Sequence, residues 1–173
     1  MRIVRRAAFP GSFNPPTVAH LDIADAARRQ CGVDRVDLVL SRVAINKETV
    51  ERPTVDERAD VLHAVAANGR PWLGVVVTDD RLLVDIADGY DVLVLGADKW
   101  AQVIDARYYG DDDAARDHAV ARLPHLAFAP RVDTSAPPGA TVLDVAHHDV
   151  SSTRAREGLR GLMLPEALSS GLW

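Results

Sequence analysis

Cysteine is almost absent from this chain: Cys31 stands alone, so no intrachain disulfide can form, the usage expected of a reducing cytoplasm. Cys31 lies near the end of an expected helix with no candidate base beside it, and reads as a small apolar residue rather than a reactive thiol. Long apolar runs are lacking too, and none approaches the ~20 residues needed to span a bilayer. The opening MRIVRRAAFPG has too few apolar residues before Pro10 for a secretory signal and is expected to form a strand. Positive charge is not in excess. A net charge of −5 argues against a nonspecific nucleic-acid binder, which needs a broad basic surface. It leaves open one anionic small molecule held by a few cations in a cleft. There is no internal repeat, and DTSAPPGA (133–140) is too short for a linker, so residues 1–173 are expected to make one domain.

What is present alternates. RIVRRAAF suits a first strand, and the segment from Thr17 to Gln30 places Val18, Leu21, Ile23, Ala24 and Ala27 near one face at helical spacing, with Gly32 as its stop. RVDLVLSRV is short and β-branched. TVDERADVLHAVAANG opens on Thr54 with Glu57 three residues on, a capping-box pattern. WLGVVV, DVLVLG, HLAFAPR and TVLDV are further strands. RLLVDIAD, DAARDHAVARL, STRAREGLRGL and PEALSSGL are helical, and the GDDD preceding the second of these complements a helix dipole. Strands without alternation, each followed by a helix, predict an α/β fold: a doubly wound, mostly parallel sheet covered on both faces. Ligands of such sheets sit beyond the carboxyl ends of the strands, where the strand order reverses. Three unusual loops fall at that edge: FPGSFNPPTVAH after the first strand, GAD after DVLVLG, and HHDVSST after the last.

In the first loop Gly11 allows close backbone approach, and Ser12 and Phe13 offer N–H groups. Thr17 and His20, three apart, share a helix face and would both address an anion at the helix start. Taken alone, they are as readily a helix cap and a surface histidine. Near the other end, Ser151, Ser152 and Thr153 offer hydroxyls and N–H groups, and Arg154 and Arg156 add fixed charge suited to phosphate. The adjacent His147, His148 and Asp149 read as a loop before this segment, with one histidine lining the site, rather than as metal ligands.

Together the two segments resemble the nucleotidylyltransferase superfamily, whose members carry G-[ST]-F-[DN]-P-x-[TH]-x-G-H and, much later, [IV]-S-S-[TS]-x-x-R. Here these stand as GSFNPPTVAH and VSSTRAR, bracketing most of the chain, with Ala19 where the family has glycine. The resemblance implies a Rossmann-like fold and transfer of a nucleotidyl group from a nucleoside triphosphate to a phosphate monoester, releasing pyrophosphate. The acceptor is already an anionic nucleophile, so alignment and charge neutralisation suffice. It further implies that His20 donates to the α-phosphate and Thr17 serves the attacked centre. Gly11, Ser12, Phe13, Ser151, Ser152, Thr153 and Arg156 would contact the nucleotide, with residues from about 151 onward closing over it. Lys47 would bridge the two substrates, whereas Arg58 is expected on a helix surface. ATP is the expected triphosphate, with Mg²⁺ carried on its phosphates rather than in a protein cage. Small-molecule substrates, no nucleic acid, no membrane and a possible homo-oligomer complete the expectation.

The acceptor divides the sequence. LGADKW is similar to the Gly-Ala-Asp element of nicotinate or nicotinamide mononucleotide adenylyltransferases. That likeness would place Asp98 on ribose hydroxyls and Trp100, Tyr108 or Tyr109 against a pyridine ring, with Ser12, Lys47 and Trp100 forming the acceptor side. HLDIADAA, VAINK and RLLVDIA instead look like phosphopantetheine adenylyltransferase. The pyridine nucleotide acceptor is favoured, phosphopantetheine is the alternative, and cytidylyl transfer and a non-catalytic nucleotide sensor follow.

Overall fold

The computed structural model describes residues 3–43, 52–131, 133–147 and 149–173. Six strands, β1 (Arg6–Pro10), β2 (Arg35–Ser41), β3 (Leu73–Thr78), β4 (Val92–Gly96), β5 (His125–Ala129) and β6 (Thr141–Val142), form one sheet in the order β3-β2-β1-β4-β5-β6. Every neighbouring pair is parallel. The order reverses between β1 and β4, so a crevice opens above their carboxyl ends.

The unalternating strands are buried on both faces, as their composition predicts. Along β4 the pleat sends Val92 and Val94 into one apolar cluster and Leu93 and Leu95 into another, all at most 1 % exposed. The first cluster packs under α1 (Val18–Gln30) and α2 (Val55–Ala67) through Ala24, Ala27, Leu62 and Val65. The second packs under α3 (Leu83–Ile86), α4 (Ala97–Val103) and α5 (Asp113–Ala121) through Leu83, Val84, Val103 and Ala119. Two short helices, α6 (Ser152–Arg156) and α7 (Pro165–Ser170), follow β6. The doubly wound parallel fold expected from the sequence is the fold observed.

Local signals act as read. The α2 start is a reciprocal capping box: Glu57 N donates to Thr54 Oγ1 (3.2 Å) and Thr54 N to Glu57 Oε2 (2.7 Å). Asp112 caps α5, accepting from Ala114 N and Ala115 N. The last strand is shorter than TVLDV suggests. Beyond it, backbone donors turn to side chains of α1: Asp144 N to Gln30 Oε1 (3.0 Å) and Ala146 N to Asp22 Oδ2 (2.7 Å). Those bonds replace ladder pairing and bring this segment against α1. Among the described residues, no helix is long and apolar enough to cross a membrane.

Candidate active site

The crevice is a cleft of about 550 Å³. Its floor is the ends of β1, β4 and β5, represented by Pro10, Gly96 and Ala129. One wall is the first loop and the start of α1, with Gly11, Ser12, Asn14, Ala19, His20 and Ile23. The other carries Ser151, Ser152, Thr153 and Arg156, the loop and first residues of α6. Asp98, Lys99 and Gln102 of α4 and Arg131 beyond β5 complete the rim. The two motifs, far apart in sequence, thus face one space.

His20 is held by the cap of its own helix. Thr17 N donates to His20 Nδ1 at 2.9 Å, and the Thr17 hydroxyl lies 3.0 Å from the same nitrogen. An imidazole that accepts at Nδ1 carries its hydrogen on Nε2 when neutral. Burial, assisted by the Arg131 charge, pushes its pKa down to about 4, so the ring is neutral near pH 7. With one nitrogen occupied and the other protonated, the ring offers the cleft a donor and no base. Phe13 packs edge-on against it with centroids 5.0 Å apart, and Phe9 stands edge-on to Phe13 at 5.6 Å.

The first loop is tied down from two directions. Gly11 N donates to Val39 O (3.1 Å), and Arg58 reaches from α2 to donate to Ser12 O and, through Nε, to Pro53 O (3.2 Å) and Thr54 O (3.3 Å). Arg58 is 5 % exposed, which corrects its expected place on a helix surface: the loop carbonyls it satisfies draw it inward. From the other side, Ser152 Oγ donates to Pro15 O (2.8 Å), Arg156 donates to Asn14 O, and Trp173 Nε1 donates to Asn14 Oδ1. Leu164 N donates to Pro16 O (3.1 Å) in the same region, which includes a cis Asn14–Pro15 peptide. Arg156 also donates to Thr153 Oγ1 at 3.4 Å.

Other expected residues lie elsewhere. Thr17 is fully buried and reaches the cleft only through His20, because its side chain turns toward the imidazole it caps. Phe13 is 1 % exposed and backs His20 rather than lining the cleft. Gly11 does line it, but the atom a side chain there would strike is the Phe13 ring, 2.9 Å from an added Cβ. Trp100 packs on the second apolar cluster and borders a separate groove with Pro124 and Pro138. Tyr109 packs on the same cluster, donating to Val103 O at 2.9 Å. Lys47 and His148 lie outside the described residues. Arg131, Lys99, Gln102 and the anchoring role of Arg58 were not singled out from sequence. The signal for Arg131 was its place as the first charge beyond a strand end; for Lys99 and Gln102 it was position on the helix after GAD.

The model of the cytidylyltransferase-like family matches residues 8–158, from within β1 to just beyond α6, and so spans both walls of the cleft. The chain belongs to this family. Several curated proteins match over part of the chain. A phosphopantetheine adenylyltransferase of Frankia casuarinae is 48% identical over 86 residues, 50% of this chain and 46% of that protein. Proteins of the same name match from Geobacter sulfurreducens (40% over 79 residues; 46% and 44%) and Frankia alni (36% over 97 residues; 54% and 57%). The chain spans about half the length of these curated relatives. Their name is that of the alternative acceptor weighed above, not of the pyridine nucleotide that Gly96, Ala97 and Asp98 favour.

Proposed function

We propose that this cytidylyltransferase-like protein transfers a nucleotidyl group, from ATP in the first instance, to a phosphate monoester and releases pyrophosphate. The observation that carries the reading is the shared cleft: a neutral imidazole donor on one wall faces hydroxyls and an arginine on the other. An acceptor phosphate oxygen attacks the α-phosphorus, its bond forms, the bond to the bridging oxygen breaks, and that oxygen leaves on pyrophosphate with the electron pair. His20 Nε2–H stabilises charge on the α-phosphate oxygens, while Ser152, Thr153, Arg156 and Arg131 neutralise the leaving pyrophosphate. No side chain needs to remove a proton, which suits a histidine without a free lone pair toward the cleft. Magnesium enters as part of the triphosphate substrate, held by phosphate oxygens. Among the described residues no group of three His, Cys, Asp or Glu gathers to hold it independently.

Phosphopantetheine is the first acceptor to test, supported by the names of the partial relatives. A pyridine mononucleotide is the second reading, and its support is that Gly96, Ala97 and Asp98 line the cleft after β4. Pyrophosphate release is measured with ATP and CTP against phosphopantetheine, nicotinate mononucleotide, nicotinamide mononucleotide and a polyol phosphate. Turnover with phosphopantetheine supports the first reading, and turnover with a pyridine mononucleotide alone reverses the order. No pyrophosphate from any pair removes the proposal.

A further inference from the structure

His147 also lines the cleft, and it is held the opposite way from His20. Asp22 Oδ2, on α1, accepts from Ala146 N (2.7 Å) and His147 N (3.2 Å) and lies 3.2 Å from His147 Nδ1. A carboxylate oxygen only accepts, so Nδ1 carries the hydrogen of the neutral ring, and the free lone pair is on Nε2. With 44 % of its side chain exposed, the ring has room to meet a ligand. One histidine therefore presents a donor to this cleft and the other an acceptor.

The surroundings say what that acceptor would meet. Ile23, one residue from Asp22, and Val145, two before His147, line the cleft with Ala129, Pro130 and Val150. These apolar groups suit a flat heterocycle, as the hydroxyls and cations around His20 and Arg156 suit phosphates. A triphosphate laid along the cleft by its anionic end thus brings its base to His147. Adenine and cytosine carry an exocyclic amino group at the position where guanine, hypoxanthine and uracil carry a carbonyl oxygen.

Building on the nucleotidyl-transfer reading, we propose that His147, oriented by Asp22, selects the base of the triphosphate by accepting a hydrogen bond from its exocyclic amino group. Adenine and cytosine nucleotides satisfy the Nε2 lone pair; a keto base sets two lone pairs against each other. A discrimination of about 10- to 100-fold is expected, below that of a fully enclosed site because the ring is partly exposed.

The test is calorimetric titration of the full chain with ATP, ITP and purine riboside triphosphate at mildly alkaline pH. ITP replaces the amino group with a carbonyl, and purine riboside triphosphate replaces it with hydrogen. The expected result is ATP bound about 10- to 100-fold more tightly than either analogue. His147→Ala is expected to bring the three within about threefold, mainly by weakening ATP, since only ATP made the bond. His147→Gln keeps a polar side chain of similar reach whose amide turns either way, and is expected to bind ATP and ITP alike. Equal binding of ATP and ITP by the unaltered chain, or a preference that survives both substitutions, overturns the inference while leaving nucleotidyl transfer standing. Binding of no triphosphate at all removes both.

Discussion

Replacing His20 by alanine separates two things the imidazole does, one in the ground state and one in the reaction. In the proposed transfer its Nε2–H stabilises charge that grows on the α-phosphate, and losing one such preorganised donor is expected to cost about 3 kcal/mol, a fall of about 10²–10³ in kcat. Its Nδ1 accepts from the N–H of the fully buried Thr17, and that group left unpaired costs about 1–3 kcal/mol of folding stability. His20→Gln distinguishes the two, because glutamine three residues after a cap can reach back to the cap N–H. It should recover most of the stability in a urea melt and little of the rate. A second consequence is pH dependence. The folded pKa is about 4 against 6.5 for the free imidazole, so the unfolded chain binds the proton first as pH falls. Stability should therefore be complete above about 6.5 and decline toward 4, by at most roughly 3 kcal/mol, and His20→Ala should remove this slope. Proton NMR titration of the His20 ring reads the pKa directly. An imidazole titrating near 6.5, or an alanine variant turning over within about tenfold of the parent, would refute the assignment.

Arg131→Gln removes the cation that helps keep His20 neutral, so the His20 NMR titration should move upward; triphosphate affinity should also fall by about 1.5–3 kcal/mol in calorimetry. Gly11→Ala sets a methyl 2.9–3.2 Å from the Phe13 ring and presses that ring on His20, an overpacking expected to cost about 1–3 kcal/mol in thermal melts. Arg58→Met leaves the Ser12 and Pro53 carbonyls without their donor and should cost about 2–4 kcal/mol by urea denaturation. Arg58→Lys should restore only part of it, since a single ammonium cannot reproduce the planar fork.

The parallel sheet was legible because β4 runs Val-Leu-Val-Leu and β2 carries Leu38, Val39 and Leu40 in succession, apolar runs without the alternation a half-exposed strand shows. The His20 wall and the Ser151–Thr153 wall were legible because residue type and order both pointed to phosphate. Residues three apart share a helix face, which directs Thr17 toward a ligand, but its side chain turns inward to His20. Charged helix residues are ordinarily solvated; Arg58 is brought inside by the Ser12 carbonyl of the first loop and the Pro53 carbonyl just before α2. Arg131 carries meaning only once β5 is known to lie beside β4, and no local pattern states that adjacency. Trp100 illustrates the reverse, an aromatic near a promising element whose helix turns it against the second apolar cluster and away from the cleft.

The bonds that fasten the first loop span 137, 142 and 159 residues of chain, from Pro15 to Ser152 and from Asn14 to Arg156 and Trp173. Contacts of such sequence separation form late, because loop closure must be completed before they contribute. The two-walled cleft is therefore expected among the last parts of this protein to form as the chain folds. During synthesis, a ribosome-bound fragment ending before α6 would hold a formed β1–α1 unit with one wall of its cleft missing. Completion of the cleft then marks the docking of α6 and Trp173 onto the first loop.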